Sequence, residues 1–158
     1  MAWYEEDKPF DFDVIEFKPA KFRFGRDEFS STVADIYING KRFLDAVYGY
    51  ERQYIQEHNL ECEAGEYCLL SVRELYENLY QSYKDEDSDY AAVFGCSCGC
   101  TECQPFYTAI DVGRKVAVWF DFYGEYRPTA LKYNEMRRYI FGKEQYFSAV
   151  ARLGKMLD

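Results

Sequence analysis

The chain has one histidine, no long apolar run and a deficit of basic side chains, and each shortage excludes a class of protein. A single imidazole, His58, excludes any site built on two. No apolar stretch approaches the roughly 20 residues a membrane-spanning helix needs. The N-terminal run Met-Ala-Trp-Tyr-Glu-Glu-Asp-Lys-Pro is acidic and has no apolar core, so it does not read as a secretory signal. The expected compartment is the cytoplasm, where thiols stay reduced. A net charge of −9 opposes phosphate backbones, so neither nucleic acid nor membrane is an expected partner. The acidic excess lies in residues 1–126; residues 127–158 hold seven Lys/Arg against three Asp/Glu. Internal repeats, a phosphate-binding Gly-Lys loop and a dinucleotide fingerprint are all missing.

What is present is aromatic. Of 158 residues, 16 are Tyr and 13 are Phe, too many for a chain that stays unfolded. The length suits one domain with its own core. Phe10 to Val14 alternates apolar and acidic residues, and Phe22-Arg23-Phe24 repeats the pattern briefly, so residues 1–28 read as a strand-containing N-terminal segment packed on the same domain. Residues 29–158 then form the domain proper. Residues 32–38 are rich in β-branched side chains and stop at Asn39-Gly40, a strong turn pair. A helix is expected next, because Phe43, Leu44, Val47, Tyr48, Glu51 and Ile55 recur every three or four residues. They make an apolar stripe with one charged interruption.

Ser71-Val72-Arg73-Glu74 has the form of a capping box. Val72, Leu75, Tyr76, Leu79, Tyr80 and Tyr83 then share a helical face. From Tyr90 the period changes to two. Tyr90 to Cys96, then Phe106, Thr108, Ile110 and Val112, then Val116, Val118, Phe120 and Phe122 predict three strands of an antiparallel meander. Lys143 to Leu157 predicts a closing helix, expected on the Val116/Val118/Phe120 face. The whole reads as an α+β, two-layer single domain: an antiparallel β-meander with helices packed on one face.

The most concentrated chemistry is Cys96-Ser97-Cys98-Gly99-Cys100-Thr101-Glu102-Cys103. Zinc takes four thiolates or imidazoles in a tetrahedron, so Cys96, Cys98, Cys100 and Cys103 are candidate metal ligands, and Zn is the cofactor they would suit. Structural sites usually draw two short pairs from separate segments, so Cys62 or Cys68 offers an easier fourth ligand. Reduced thiols that shape a turn, and redox or disulfide chemistry, are the alternatives. Asp121 is expected to accept hydrogen bonds from a neighbouring loop or to pair with Arg127. His58 reads as a helix-end residue. The run Asp85, Glu86, Asp87 and Asp89 lacks the glycine and distant glutamate of a calcium-binding hand and reads as a solvated loop.

Phe94-Gly95-Cys96-Ser97-Cys98-Gly99, Cys103, Pro105-Phe106, Val118-Trp119-Phe120-Asp121-Phe122 and Arg127 together resemble an uncharacterised family of small bacterial proteins. Its members carry a Gly-Cys-x-Cys-Gly…Cys-x-Pro block followed by a Trp-x-Asp-Phe strand. Ile36-Tyr37-Ile38-Asn39-Gly40-Lys41, Leu44 and Tyr50-Glu51 extend the resemblance over most of residues 33–153. It implies no activity. Cys100 is an addition to the pattern.

No set of side chains reads as catalytic. The expected function is a binding protein, with neutralisation of a basic toxin in a bacterial immunity role as the concrete version. A protein partner would meet the acidic loop Asp85, Glu86, Asp87 and Asp89 and the rings of Tyr50 and Tyr54. The alternative is a zinc- or thiol-dependent protein that works through the Cys96–Cys103 turn.

Overall fold

The computed structural model describes residues 11–24, 29–84, 90–96 and 105–157, without the side chains of 22–24, 29–31, 81–84 and 96. In chain order the elements are β1 (Ile15–Phe24), β2 (Phe29–Ile38), β3 (Lys41–Arg42), α1 (Phe43–Glu57), β4 (Tyr67–Leu69), α2 (Val72–Lys84), β5 (Tyr90–Cys96), β6 (Phe106–Val112), β7 (Val116–Gly124), β8 (Tyr139–Gly142) and α3 (Lys143–Gly154). Strands β1-β2-β3 form one antiparallel sheet and β4-β5-β6-β7-β8 a second, in sequence order. The fold is α+β, with a curled meander as its larger sheet.

Local chemistry explains most of these boundaries. Asn39 and Gly40 both take positive φ, 55° and 78°, which suits the tight hairpin that an Asn-Gly pair favours. The hairpin returns for only two residues before α1 begins, so strand and helix both follow the turn. The Ser71 hydroxyl accepts the Glu74 N–H at 3.1 Å and opens α2 as a capping residue. β1 pairs with β2 from Ile15↔Ile38 to Phe24↔Phe29. The alternation at Phe10 to Val14 precedes that strand; Asp13 makes only an isolated bridge to Phe141.

One core lies between the meander and everything else. It joins Ile15 and Ile36 of the small sheet, Phe43 and Val47 of α1, Leu75 and Leu79 of α2, and Val150 and Leu153 of α3. The meander contributes Phe94, Phe106, Ala117, Trp119, Phe122 and Phe141. Val116 and Val118 are also buried, but on the opposite sheet face with Phe120 and Ile140. The closing helix therefore packs on the Ala117/Trp119 face, not on the expected Val116/Val118/Phe120 face. Trp119 donates its indole N–H to the Tyr146 hydroxyl of α3 at 3.1 Å.

Further along the same strand lies a bulge that the sequence pattern hid. Ala109 pairs with Phe120 and Tyr107 with Tyr123, so Thr108 alone faces both Asp121 and Phe122. Asp121 is the extra residue and sits in left-handed backbone, φ 51°. An inserted residue inverts the parity of the strand. Phe122 thus joins Trp119 in the core, while Phe120 stays on the outer face.

Candidate functional site

A buried carboxylate organises the inner side of the site. Glu51, the charged interruption in the apolar stripe of α1, is 0% exposed. Its Oε1 accepts the Gly65 N–H at 2.7 Å, and its Oε2 accepts the hydroxyls of Tyr67 at 2.7 Å and Tyr133 at 2.5 Å. The Arg127 guanidinium lies 3.8 Å from Oε1 and also donates to the Glu63 carbonyl. Burial, and then the negative charge of Glu51, push the Tyr67 and Tyr133 hydroxyls well above the usual phenol range. They are permanent donors. The network ties together α1, β4 with the loop before it, and the segment after β7. A Cβ on Gly124 would fall 2.7 Å from the Tyr67 hydroxyl, so the end of β7 packs directly against it.

That end of β7 turns sharply outward. Arg127 donates its N–H to the Gly124 carbonyl at 3.4 Å, and Glu125 donates to Pro105 at 3.0 Å. Between them Tyr126 holds φ 64°, unusual for a bulky side chain, and is 73% exposed. The turn therefore buries Arg127 on one side and presents Tyr126 on the other.

The outer face of the meander continues this surface. Tyr107 and Tyr123 are cross-strand partners with rings stacked at 4.9 Å. Tyr90 meets Tyr123 edge-on at 5.2 Å, reaching across β6 where its own partner is the small Ala109. The Tyr90 hydroxyl donates to Asp121 at 2.5 Å. Burial, then the hydrogen bond and charge of neighbouring Glu125, push the Tyr107 hydroxyl up to about 12. Tyr123 is raised by burial, then by Glu125 and Asp121. Two carboxylates thus flank a tyrosine cluster whose Tyr90 and Tyr123 are 39% and 36% exposed. Electron-rich ring faces beside carboxylates make a surface for cations. Beside it, Phe120, Asp121, Asn134, Met136, Arg137 and Arg138 help line a cleft of about 540 Å³.

Of the residues singled out by sequence, Asp121 alone among the described ones lies in the tyrosine cluster. Cys96 ends β5 opposite Tyr67, and Cys98, Cys100 and Cys103 lie outside the described residues, as do Asp85, Glu86, Asp87 and Asp89. Neither Cys62 nor Cys68 joins a disulfide among the described residues, and no group of ligands that could hold a metal occurs among them. Tyr54 is buried and stacks on His58 at 4.0 Å. Tyr50 is half-buried, donates its hydroxyl to the Lys132 carbonyl and stacks on Tyr133 at 5.7 Å. Asp121 takes Tyr90 and not Arg127, which the Glu51 carboxylate draws inward. No helix among the described residues is long and apolar enough to cross a membrane. No family model, curated protein or solved structure matches the chain, so the likeness of its cysteine block rests on the sequence alone.

Sequence reading missed Glu51 as an organising centre and Tyr107, Tyr123 and Tyr126 as a surface. A signal for the first existed: a lone acid inside an apolar helical stripe must find partners when buried. The tyrosines gave none, because they occupy the face of each strand that reads as polar filler.

Proposed function

We propose that the chain is a binding protein that docks a basic protein partner on the outer face of its meander, around Tyr107, Tyr123, Tyr126 and the carboxylates of Asp121 and Glu125. The observation that carries this reading is the exposed tyrosine cluster beside two carboxylates, displayed on left-handed backbone at Asp121 and Tyr126. Tyrosine supplies large rigid contact area with a polar tip, which is why it is enriched in interfaces. The net charge of −9 adds long-range attraction for a basic partner. Neutralisation of a basic toxin in the cytoplasm is the concrete form of this function.

The test places a photo-crosslinking residue at position 126 and identifies what it captures in host cells. The expected partner is a basic protein whose association slows steeply with salt, because exposed charges are screened beyond about 8 Å at physiological ionic strength. Tyr123→Ser should raise its off-rate without unfolding the chain, and neutralising Asp85, Glu86, Asp87 and Asp89 together should lower its on-rate. A captured partner that is not basic, or one indifferent to Tyr123→Ser, overturns the docking face.

A further inference from the structure

We infer that the Tyr107–Tyr123 pair, with Asp121 and Glu125, forms a subsite for an arginine side chain and discriminates against lysine. This rests on the docking reading above and assigns the partner chemistry at its centre. The two rings lie 23° from parallel at 4.9 Å, so each covers one face of the other and a ligand can stack only on an outer face of the pair. Tyr90 closes one side, its ring at 83° to Tyr123.

The carboxylates complete the geometry. Among the described residues Asp121 accepts one hydroxyl, from Tyr90. A carboxylate offers about four lone-pair sites, so it keeps acceptor capacity for a ligand. Neither Asp121 nor Glu125 forms an ion pair with a Lys or Arg among the described residues. Contrast Asp13, whose two oxygens receive Asn39, Arg137 and the Ile140 N–H. Both oxygens of Asp13 are engaged, whereas Asp121 accepts at one oxygen among the described residues. A guanidinium is planar, weakly hydrated and forked, so it can lie over a ring while its N–H groups reach a carboxylate. An ammonium is a compact, strongly hydrated point charge and cannot do both as well.

The experiment titrates the whole chain with acetyl-Gly-Arg-Gly-Arg-Gly-Arg-amide and with its lysine counterpart, following the ring resonances of Tyr107 and Tyr123. The arginine peptide should bind about five- to tenfold tighter, the range expected for a stacked cation with a carboxylate partner. Tyr123→Leu, which keeps an apolar strand residue, should reduce that preference to below about twofold. Asp121→Asn is the second variant. Asn tolerates left-handed backbone, so the bulge survives while the charge is lost, and arginine affinity should fall. Equal affinity for the two peptides, or a preference that survives Tyr123→Leu, overturns the subsite. A basic partner captured by a chain with no arginine preference removes the subsite and leaves the docking face standing. Discrimination between peptides with no basic partner in the host does the reverse.

Discussion

Replacing Glu51 by Gln changes one oxygen to an amide nitrogen and removes one buried charge, with almost no change of shape. In the native chain that oxygen, Oε2, receives two hydroxyl donors, from Tyr67 and Tyr133, and Oε1 receives the Gly65 N–H. Gln presents one acceptor and one donor group to three donors. At least one tyrosine hydroxyl must turn, and every remaining bond loses its ionic character. Hydrogen bonds to charged groups contribute about 1.5–3 kcal/mol against about 0.5–1.5 for neutral ones, so each conversion costs about 1 kcal/mol. Three conversions give about 3 kcal/mol.

Arg127 adds to this. Its side chain is 11% exposed, and its Nε is buried without an acceptor among the described residues, so the guanidinium loses its counter-charge where water cannot replace it. The total sits in the range of about 3–5 kcal/mol seen when one member of a buried ion pair is removed. Urea unfolding is the assay. With a slope of about 1–3 kcal/mol per molar, the midpoint should fall by about 1–5 M at unchanged slope. Tyr133→Phe should cost less, about 1–2 kcal/mol, because Glu51 keeps its other partners. The double variant should fall short of the sum of the two by at least about 0.5 kcal/mol, since both act on one network. A loss below about 0.5 kcal/mol for Glu51→Gln, or strict additivity with Tyr133→Phe, would refute the network as a unit.

Other outcomes follow from particular side chains. Leu153 is fully buried, and Leu153→Ala should cost about 2–4 kcal/mol by thermal or urea unfolding; a loss under about half a kilocalorie would take α3 out of the core. Tyr126→Gly should relieve left-handed strain of about 1–2 kcal/mol and raise the melting temperature, while weakening any partner that docks there. Burial alone would raise the Asp13 carboxyl, but hydrogen bonds from Arg137, Asn39 and the Ile140 N–H hold it below its ordinary 3.8. Its contribution is therefore complete above pH 3.8 and disappears as pH falls through the lower folded-state value, so Asp13→Asn and the parent should differ in stability at pH 7 and converge in acid. If the cysteine turn holds zinc, protein purified without added metal should contain it stoichiometrically and lose it with Cys96→Ser/Cys98→Ser; zinc retained by that variant would exclude the turn as its source.

The sequence alone determined the elements that repeat. Three long helices and the strands β2, β5, β6 and β7 were legible because a helix or strand with one buried face must space its apolar residues by 3.6 or by 2. The Asn39-Gly40 turn and the Ser71 cap were legible because each depends on a residue's own conformational or hydrogen-bonding chemistry. Strands β4 and β8 are three and four residues long, too short to show a period, and exist because a neighbouring strand offers them a ladder. Tertiary structure alone decided the parity of β7. Val116 to Phe122 alternates without a fault in sequence, yet the bulge at Asp121 sends Phe122 inward and leaves Phe120 outside. It also decided the meaning of Glu51, whose partners Gly65, Tyr67, Arg127 and Tyr133 come from segments far along the chain. A periodic pattern records which face a residue prefers. Which residues meet on that face depends on register and chain return, and no local signal carries either.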